Sequence, residues 1–238
     1  MPTISCTYLA LTLIRQCVLH QHMSVLFINY LMSMTISLAA ITGSLRWGKI
    51  DPSNRPIIVA WWIVVITETI QYLLINLGMY SNLVYNLYMV PLSAMLLFQF
   101  NKWGILGKRL MLAIFLILIS IWIADYFIIN GYMLTTRRFI HRLIFNLVVV
   151  MLAVTSINKQ IMSERRVLLT NSRFLICVGL TIYYTYRVLV DAFWLNELSN
   201  EFTTILASFN RYLLQFYYLI LFLAALWIPR KKSYILPS

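Results

Sequence analysis

The chain has 238 residues, of which 61% are hydrophobic and 11% charged, and its mean hydropathy is +0.81. About a quarter of an average globular chain is charged, so this one has too few charged side chains to cover a water-facing surface, a requirement that a bilayer removes. The net charge of +12 does not indicate nucleic acid, because the basic residues fall in short clusters between apolar runs and not on one face interleaved with aromatics.

Residues 1–23 come first. The stretch TYLALTLIRQCVLH is too short, and too interrupted by Arg15, to cross a bilayer, and it lacks the basic start and small-residue cleavage site of a secretory leader. It is expected to be extracytoplasmic or interfacial; the alternative is that translation begins at Met23. Seven apolar segments of about 20 residues follow, at 24–43, 56–77, 82–100, 110–130, 139–157, 174–195 and 203–228. They predict an all-α polytopic membrane protein, a seven-transmembrane-helix bundle filling 24–228, with a cytoplasmic tail at 229–238. Asp51, Pro52 and Pro56 open the second helix. Gly78, Asn82, Gly104, Gly107 and Gly131 fall at helix ends, Gly179 lies inside the sixth span, and Pro91 should kink the third. Cys6, Cys17 and Cys177 are odd in number and lack metal-ligand spacing, so neither a disulfide framework nor a zinc site is expected.

Orientation follows from lysine and arginine in the short loops. One side carries Arg46, Lys49, Arg55, Lys102, Lys108, Arg109, Lys159, Arg165, Arg166, Arg173, Arg230, Lys231 and Lys232; the other carries Arg15, Arg137, Arg138 and Arg142. Thirteen against four puts the C-terminus in the cytoplasm and, with seven spans, the N-terminus outside. The basic run TTRRFIHR in the loop between spans four and five is the exception to this pattern. A multi-pass protein of the cell (inner) membrane is expected.

Ionisable side chains inside spans cost several kcal/mol and mark functional sites. Five lie well inside: Glu68, Asp125, Arg187, Asp191 and Arg211. Helical spacing groups Glu68, Tyr72 and Asn76 on span two, Tyr183, Arg187 and Asp191 on span six, and Arg211, Gln215 and Tyr218 on span seven. Asn82, Tyr85 and Asn86 share a face of span three, and span five adds His141, Arg142 and Asn146. These stripes predict a polar cavity in the outer half of the bundle, lined by Glu68, Tyr72, Tyr85, Asn86, Asp125, Arg187, Asp191, Arg211 and Gln215. The cytoplasmic halves read as mainly Leu, Ile, Val and Phe, with no inner vestibule. A structural alternative is a self-satisfied network, since three acids balance Arg142, Arg187 and Arg211, and Arg187 could pair with Asp191 four residues on. Trp47, Trp61, Trp62, Trp103, Trp194 and Trp227 fit interfacial anchoring.

Seven helices with the N-terminus outside invite comparison with the microbial rhodopsins, but no lysine lies inside any span, so no retinal Schiff base can form and no cofactor is expected. No HExxH, GxSxG or paired-Asp protease motif is present, and His20, His22 and His141 are too few and too peripheral for a buried metal. An enzyme is not expected; the enzymatic alternative would be acid–base chemistry by Glu68 and Asp125 alone, which no motif singles out. A channel is disfavoured by the apolar inner halves.

The run TETIQYLLINLGMYSNLVYNLYMVPLSAML, through Thr67, Glu68, Asn82, Tyr85, Asn86 and Tyr88, resembles a loose group of seven-helix bacterial membrane proteins of unassigned function. In that group an acid often follows the third-helix pattern, where this chain has Pro91, Leu92 and Ser93. The resemblance covers the second and third helices and otherwise only topology; it implies association with sensor kinases, hence signalling, and names no ligand. The expected function is a receptor- or sensor-like protein that binds a small polar or zwitterionic ligand and signals to a separate cytoplasmic or membrane partner, with Arg165, Arg166 and Arg230–Lys232 as contacts. For those basic clusters ordinary positive-inside topology plus anionic-lipid contact is the favoured reading. A small secondary transporter using the same charges and a structural subunit of a membrane complex are the alternatives.

Overall fold

The computed structural model describes residues 27–79, 82–125, 139–163, 171–195 and 200–228, and all secondary structure of any length among them is helical. Seven α-helices follow in order: α1 (Ile36–Leu45), α2 (Arg55–Asn76), α3 (Asn82–Lys102), α4 (Lys108–Ala124), α5 (Phe139–Ser163), α6 (Ser172–Leu195) and α7 (Asn200–Trp227). Residues 27–33 are also helical and lead into α1 across a turn at Met34 and Thr35. Among the described residues, five segments are long and apolar enough to cross a membrane: Phe27–Leu45, Pro52–Asn76, Ile140–Met162, Ser172–Phe193 and Ser208–Trp227. The helix α3 is long enough but more polar, carrying Asn86, Ser93, Gln99 and Asn101, while α4 is described over 17 residues. The expected N-terminal segment, the end of the fourth span, the loop residues Arg137 and Arg138, Arg165 and Arg166, and the tail 229–238 all lie outside the described residues.

Local chemistry sets the helix ends. Asp51 accepts from the Ser53 amide (3.2 Å) and hydroxyl (2.9 Å), and Pro52 begins the single 3-10 turn Pro52–Asn54 that feeds α2. Gly78 and Gly104 both sit at φ +70, closing α2 and α3. In each case the next residue's amide reaches back over the glycine, Met79 to Leu74 O (2.9 Å) and Ile105 to Phe100 O (3.0 Å), as a left-handed helix cap requires. The helix α3 runs unbroken through Pro91, although proline leaves the Leu87 carbonyl without its usual amide partner.

Each helix packs on its neighbours in sequence, and α7 packs on α1 to close the ring; α4 is the most loosely held member. Backbones approach closely where glycine permits. A Cβ at Gly43 would come within 2.9 Å of Ile58 on α2, and one at Gly179 within 3.2 Å of Tyr217 and Ile220 on α7. Leu38, Ile66, Leu87, Leu116, Met151, Leu189 and Leu219 are exposed, so every helix presents large apolar side chains outward, as lipid rather than water would favour.

The end of the bundle bearing Arg46, Lys49, Arg55 and Lys102 is closed by polar bonds. Gln99 of α3 donates to Ser53 O (2.7 Å) and accepts from the Ile57 amide (2.8 Å), and Trp103 donates to Asn54 Oδ1 (2.9 Å). Arg46 donates to the Ala225, Leu226 and Ile228 carbonyls at the end of α7 (2.9, 2.6 and 3.3 Å), and Lys159 donates to Gly104 O (3.0 Å). Buried Gln99, Asn54, Ser156 and Gln160 therefore stand within a half expected to be mainly Leu, Ile, Val and Phe. Trp61 and Trp103 are also not interfacial anchors, being 2% and 7% exposed, whereas Trp47, Trp62 and Trp227 remain at the surface.

Candidate functional site

Buried charges on α5 and α6 form the first cluster. Asp191 is fully buried and receives both Nε (2.7 Å) and Nη2 of Arg142, while Asn146 Nδ2 donates to its Oδ2 (3.1 Å). Arg142 is thus an internal charge, as its place in span five implied, and the loop tally on the less basic side loses one residue. Nor does Asp191 take the neighbour four residues away. Arg187 Nη2 donates instead to the Tyr85 hydroxyl of α3 (2.8 Å), which also lies 3.4 Å from Arg142 Nη1. The Arg142 guanidinium stands 5.6 Å from the centroid of the Tyr85 ring. Tyr85 therefore links two arginines on two helices.

A cavity of about 180 Å³ opens beside this cluster, between α1, α2, α3, α6 and α7. From α2 it takes Trp61, Val64 and Glu68; from α3, Tyr85, Tyr88, Leu92 and Leu96. Helix α6 adds Tyr183, Tyr184 and Arg187, and α7 adds Asn210, Leu214, Tyr217 and Tyr218. Tyr183 and Tyr217 stack in parallel at 4.8 Å, and Tyr184 meets Tyr183 edge-on at 5.3 Å. Glu68 and Arg187 share this cavity, yet no ion pair joins them; among the described residues the pairs within 4.0 Å are Arg142–Asp191 and Arg173–Asp51. A smaller void of about 30 Å³ behind Tyr85 and Arg187 touches Arg142 and Asn146, so the cavity and the ion pair have walls in common.

Of the nine residues expected to line a cavity, the structure brings Glu68, Tyr85 and Arg187 together, with Asp191 behind them through Arg142. The other five are elsewhere. Tyr72 stacks on Tyr30 at 4.2 Å. Asn86 is buried toward α4, its carbonyl accepting from Trp122 Nε1 (3.1 Å), and Asp125 is buried at the end of α4. Arg211 donates to Asn29 Oδ1 (3.0 Å), and Gln215 bonds Thr35 (3.0 Å) and the Met32 carbonyl (2.6 Å), so both hold α7 to the first span. Helical spacing could not separate a face toward the bundle axis from one toward the adjacent helix.

Missed as liners were Trp61, Tyr184, Asn210 and Tyr217. The available signal was two Tyr-Tyr pairs, 183–184 and 217–218, in mid-span, away from the interfaces where tyrosine ordinarily anchors. On the outer surface a groove of about 300 Å³ runs between α1 and α7, lined by Leu38, Phe216, Leu219 and Phe222. Tyr218 lines groove and cavity alike.

No group of three His, Cys, Asp or Glu side chains among the described residues could hold a metal ion. The chemistry on offer is recognition: one carboxylate, one guanidinium and a wall of aromatic rings. Comparison of the chain with protein-family models, curated proteins and solved structures finds no match.

Proposed function

We propose that the chain is a seven-span protein of the cell (inner) membrane, N-terminus outside and C-terminus in the cytoplasm, that binds a small zwitterionic ligand in its central cavity. It acts as a receptor or sensor and passes occupancy to a separate cytoplasmic or membrane partner. The observation that carries this reading is that Glu68 and Arg187, opposite in charge and not paired with one another, line one aromatic cavity. Both are half-buried charges inside the bundle, and a zwitterion supplies an opposite charge to each at once. Occupancy would be felt outside the cavity through the Tyr85 hydroxyl, which Arg187 shares with Arg142, the partner of Asp191 between α5 and α6. A ligand that draws Arg187 away from Tyr85 would alter that contact, and with it the packing of α3 against α5 and α6.

One observation favours the transporter as a second reading. The first span is interrupted at Met34 and Thr35, beside the Ile36 that lines the cavity, and interrupted helices are characteristic of secondary transporters. Purified protein in nanodiscs, titrated with a panel of labelled amino acids and betaines, separates the two when combined with uptake into proteoliposomes. Binding that is lost in Glu68→Gln, without uptake, supports the receptor. Uptake abolished by Glu68→Gln supports the transporter, and absence of binding across the panel sinks the zwitterion reading.

A further inference from the structure

The cavity is not uniform along its length. At 1.5 Å per residue, Glu68 and Trp61 are separated by about 10 Å of α2, and Tyr85 and Leu96 by about 16 Å of α3. Every charged group in the lining lies toward one end, with Glu68, Arg187, Tyr85 and Asn210. The other end holds Trp61, Val64, Leu92 and Leu96. Tyr183, Tyr184, Tyr217 and Tyr218 lie between the two levels. We infer that the ligand is amino-acid-like: a zwitterionic head between Glu68 and Arg187, and one apolar side chain directed toward Trp61. This rests on the cavity being a zwitterion site, as proposed above, and names the ligand class and its orientation.

Three observations favour this class. Arg142 and Asp191 neutralise one another, so the cavity contributes one negative and one positive group, and a plain amine or a plain carboxylate leaves one of them uncompensated. Asn210 lines the head end, and its buried Oδ1 accepts no hydrogen bond; a small rotation offers it to an ammonium N–H, which a quaternary ammonium lacks. Finally, the whole cavity, charged end included, measures about 180 Å³, close to an engineered apolar cavity that accepts benzene, so it admits a small head with one short side chain and not a long acyl tail.

The test is equilibrium binding to the full chain in nanodiscs, followed by calorimetry, for glycine, alanine, leucine and phenylalanine, with isopentylamine and 4-methylpentanoate as half-ligands. Affinity is expected to rise roughly fourfold for each methylene added to the side chain. Each half-ligand should bind at least tenfold more weakly than leucine. Ala60 lines the apolar end beside Trp61, so Ala60→Ile, which narrows that end, should lower phenylalanine affinity more than glycine affinity; Leu96→Asn, which adds no bulk, should flatten the series if that overpacked variant does not fold. Affinities independent of side chain but still lost in Glu68→Gln overturn the apolar-end assignment and leave the zwitterion site standing. Half-ligands that bind as well as leucine overturn the zwitterionic head. No binding by any of these compounds overturns both.

Discussion

Tyr85 accepts from two guanidiniums, and that single hydroxyl joins the ion pair to the cavity. The sequence made the intramembrane charges visible but not their pairing. Arg187 and Asp191 are spaced as helical neighbours, yet the direction in which α5 faces α6 brings Arg142 to Asp191, and only packing decides that. Removing one member of a buried pair strands the other, at a cost of about 3–5 kcal/mol, whereas removing both costs far less. Thermal unfolding in a fixed detergent should therefore show large destabilisation for Asp191→Leu and for Arg142→Leu, with substantial recovery in the double variant. Additive losses would place the two side chains in separate networks. Tyr85→Phe keeps the ring but removes the shared acceptor, and should cost about 1–3 kcal/mol on the same measurement. If Arg187 instead repacks onto Asp191, the loss disappears.

Among the elements, the caps were legible and the break in the first span was not. Gly78 and Gly104 mark helix ends because a left-handed residue is needed there, and glycine supplies it without strain. The interruption at Met34–Thr35 contains neither proline nor glycine. It arises from side chains that compete for backbone carbonyls: Ser33 donates to Tyr30 O (3.1 Å), Thr35 to Met32 O (2.8 Å), and Gln215 of α7 to the same Met32 O (2.6 Å). Two of these donors are local and in principle readable. The third, from a residue 183 positions away, is not. Helix contacts give a sharper prediction. A methyl group at Gly179 would stand 3.2 Å from Tyr217 and from Ile220, so Gly179→Val should force α6 from α7 and destabilise by about 1–3 kcal/mol. Gly48, with open space around it, is the control, and Gly48→Ala should leave the unfolding temperature unchanged. Equal tolerance at both positions would mean that α6 and α7 do not approach as described.

For the whole molecule, the sequence announces a helical membrane bundle through composition and span length, and the structure adds a closed ring with a polar-stitched basic end and a charged central cavity. Whether all seven helices cross the membrane is decided by α3 and α4. Were those two to form a hairpin that did not cross, the loop after α3 would lie on the same side as the turn after α2. Packing argues otherwise: Trp103 and Gln99, at the end of α3, bond Asn54 and Ser53 at the start of α2. The two helices therefore run the same distance in opposite directions, and what α2 crosses α3 should cross too. The loop after α3 then shares a side with Lys49 and Arg55, as positive-inside topology requires. Single cysteines test this in a chain whose Cys6, Cys17 and Cys177 are replaced. Gly107 is exposed, with nothing near a Cβ placed there, so Gly107→Cys introduces a thiol without strain. In intact cells a membrane-impermeant maleimide should label Met79→Cys, in the turn after α2, and should reach Gly107→Cys and Gly48→Cys only after permeabilisation. Labelling of Gly107→Cys together with Met79→Cys in intact cells would reduce the crossing helices to five and return the polar face of α3 to the interface.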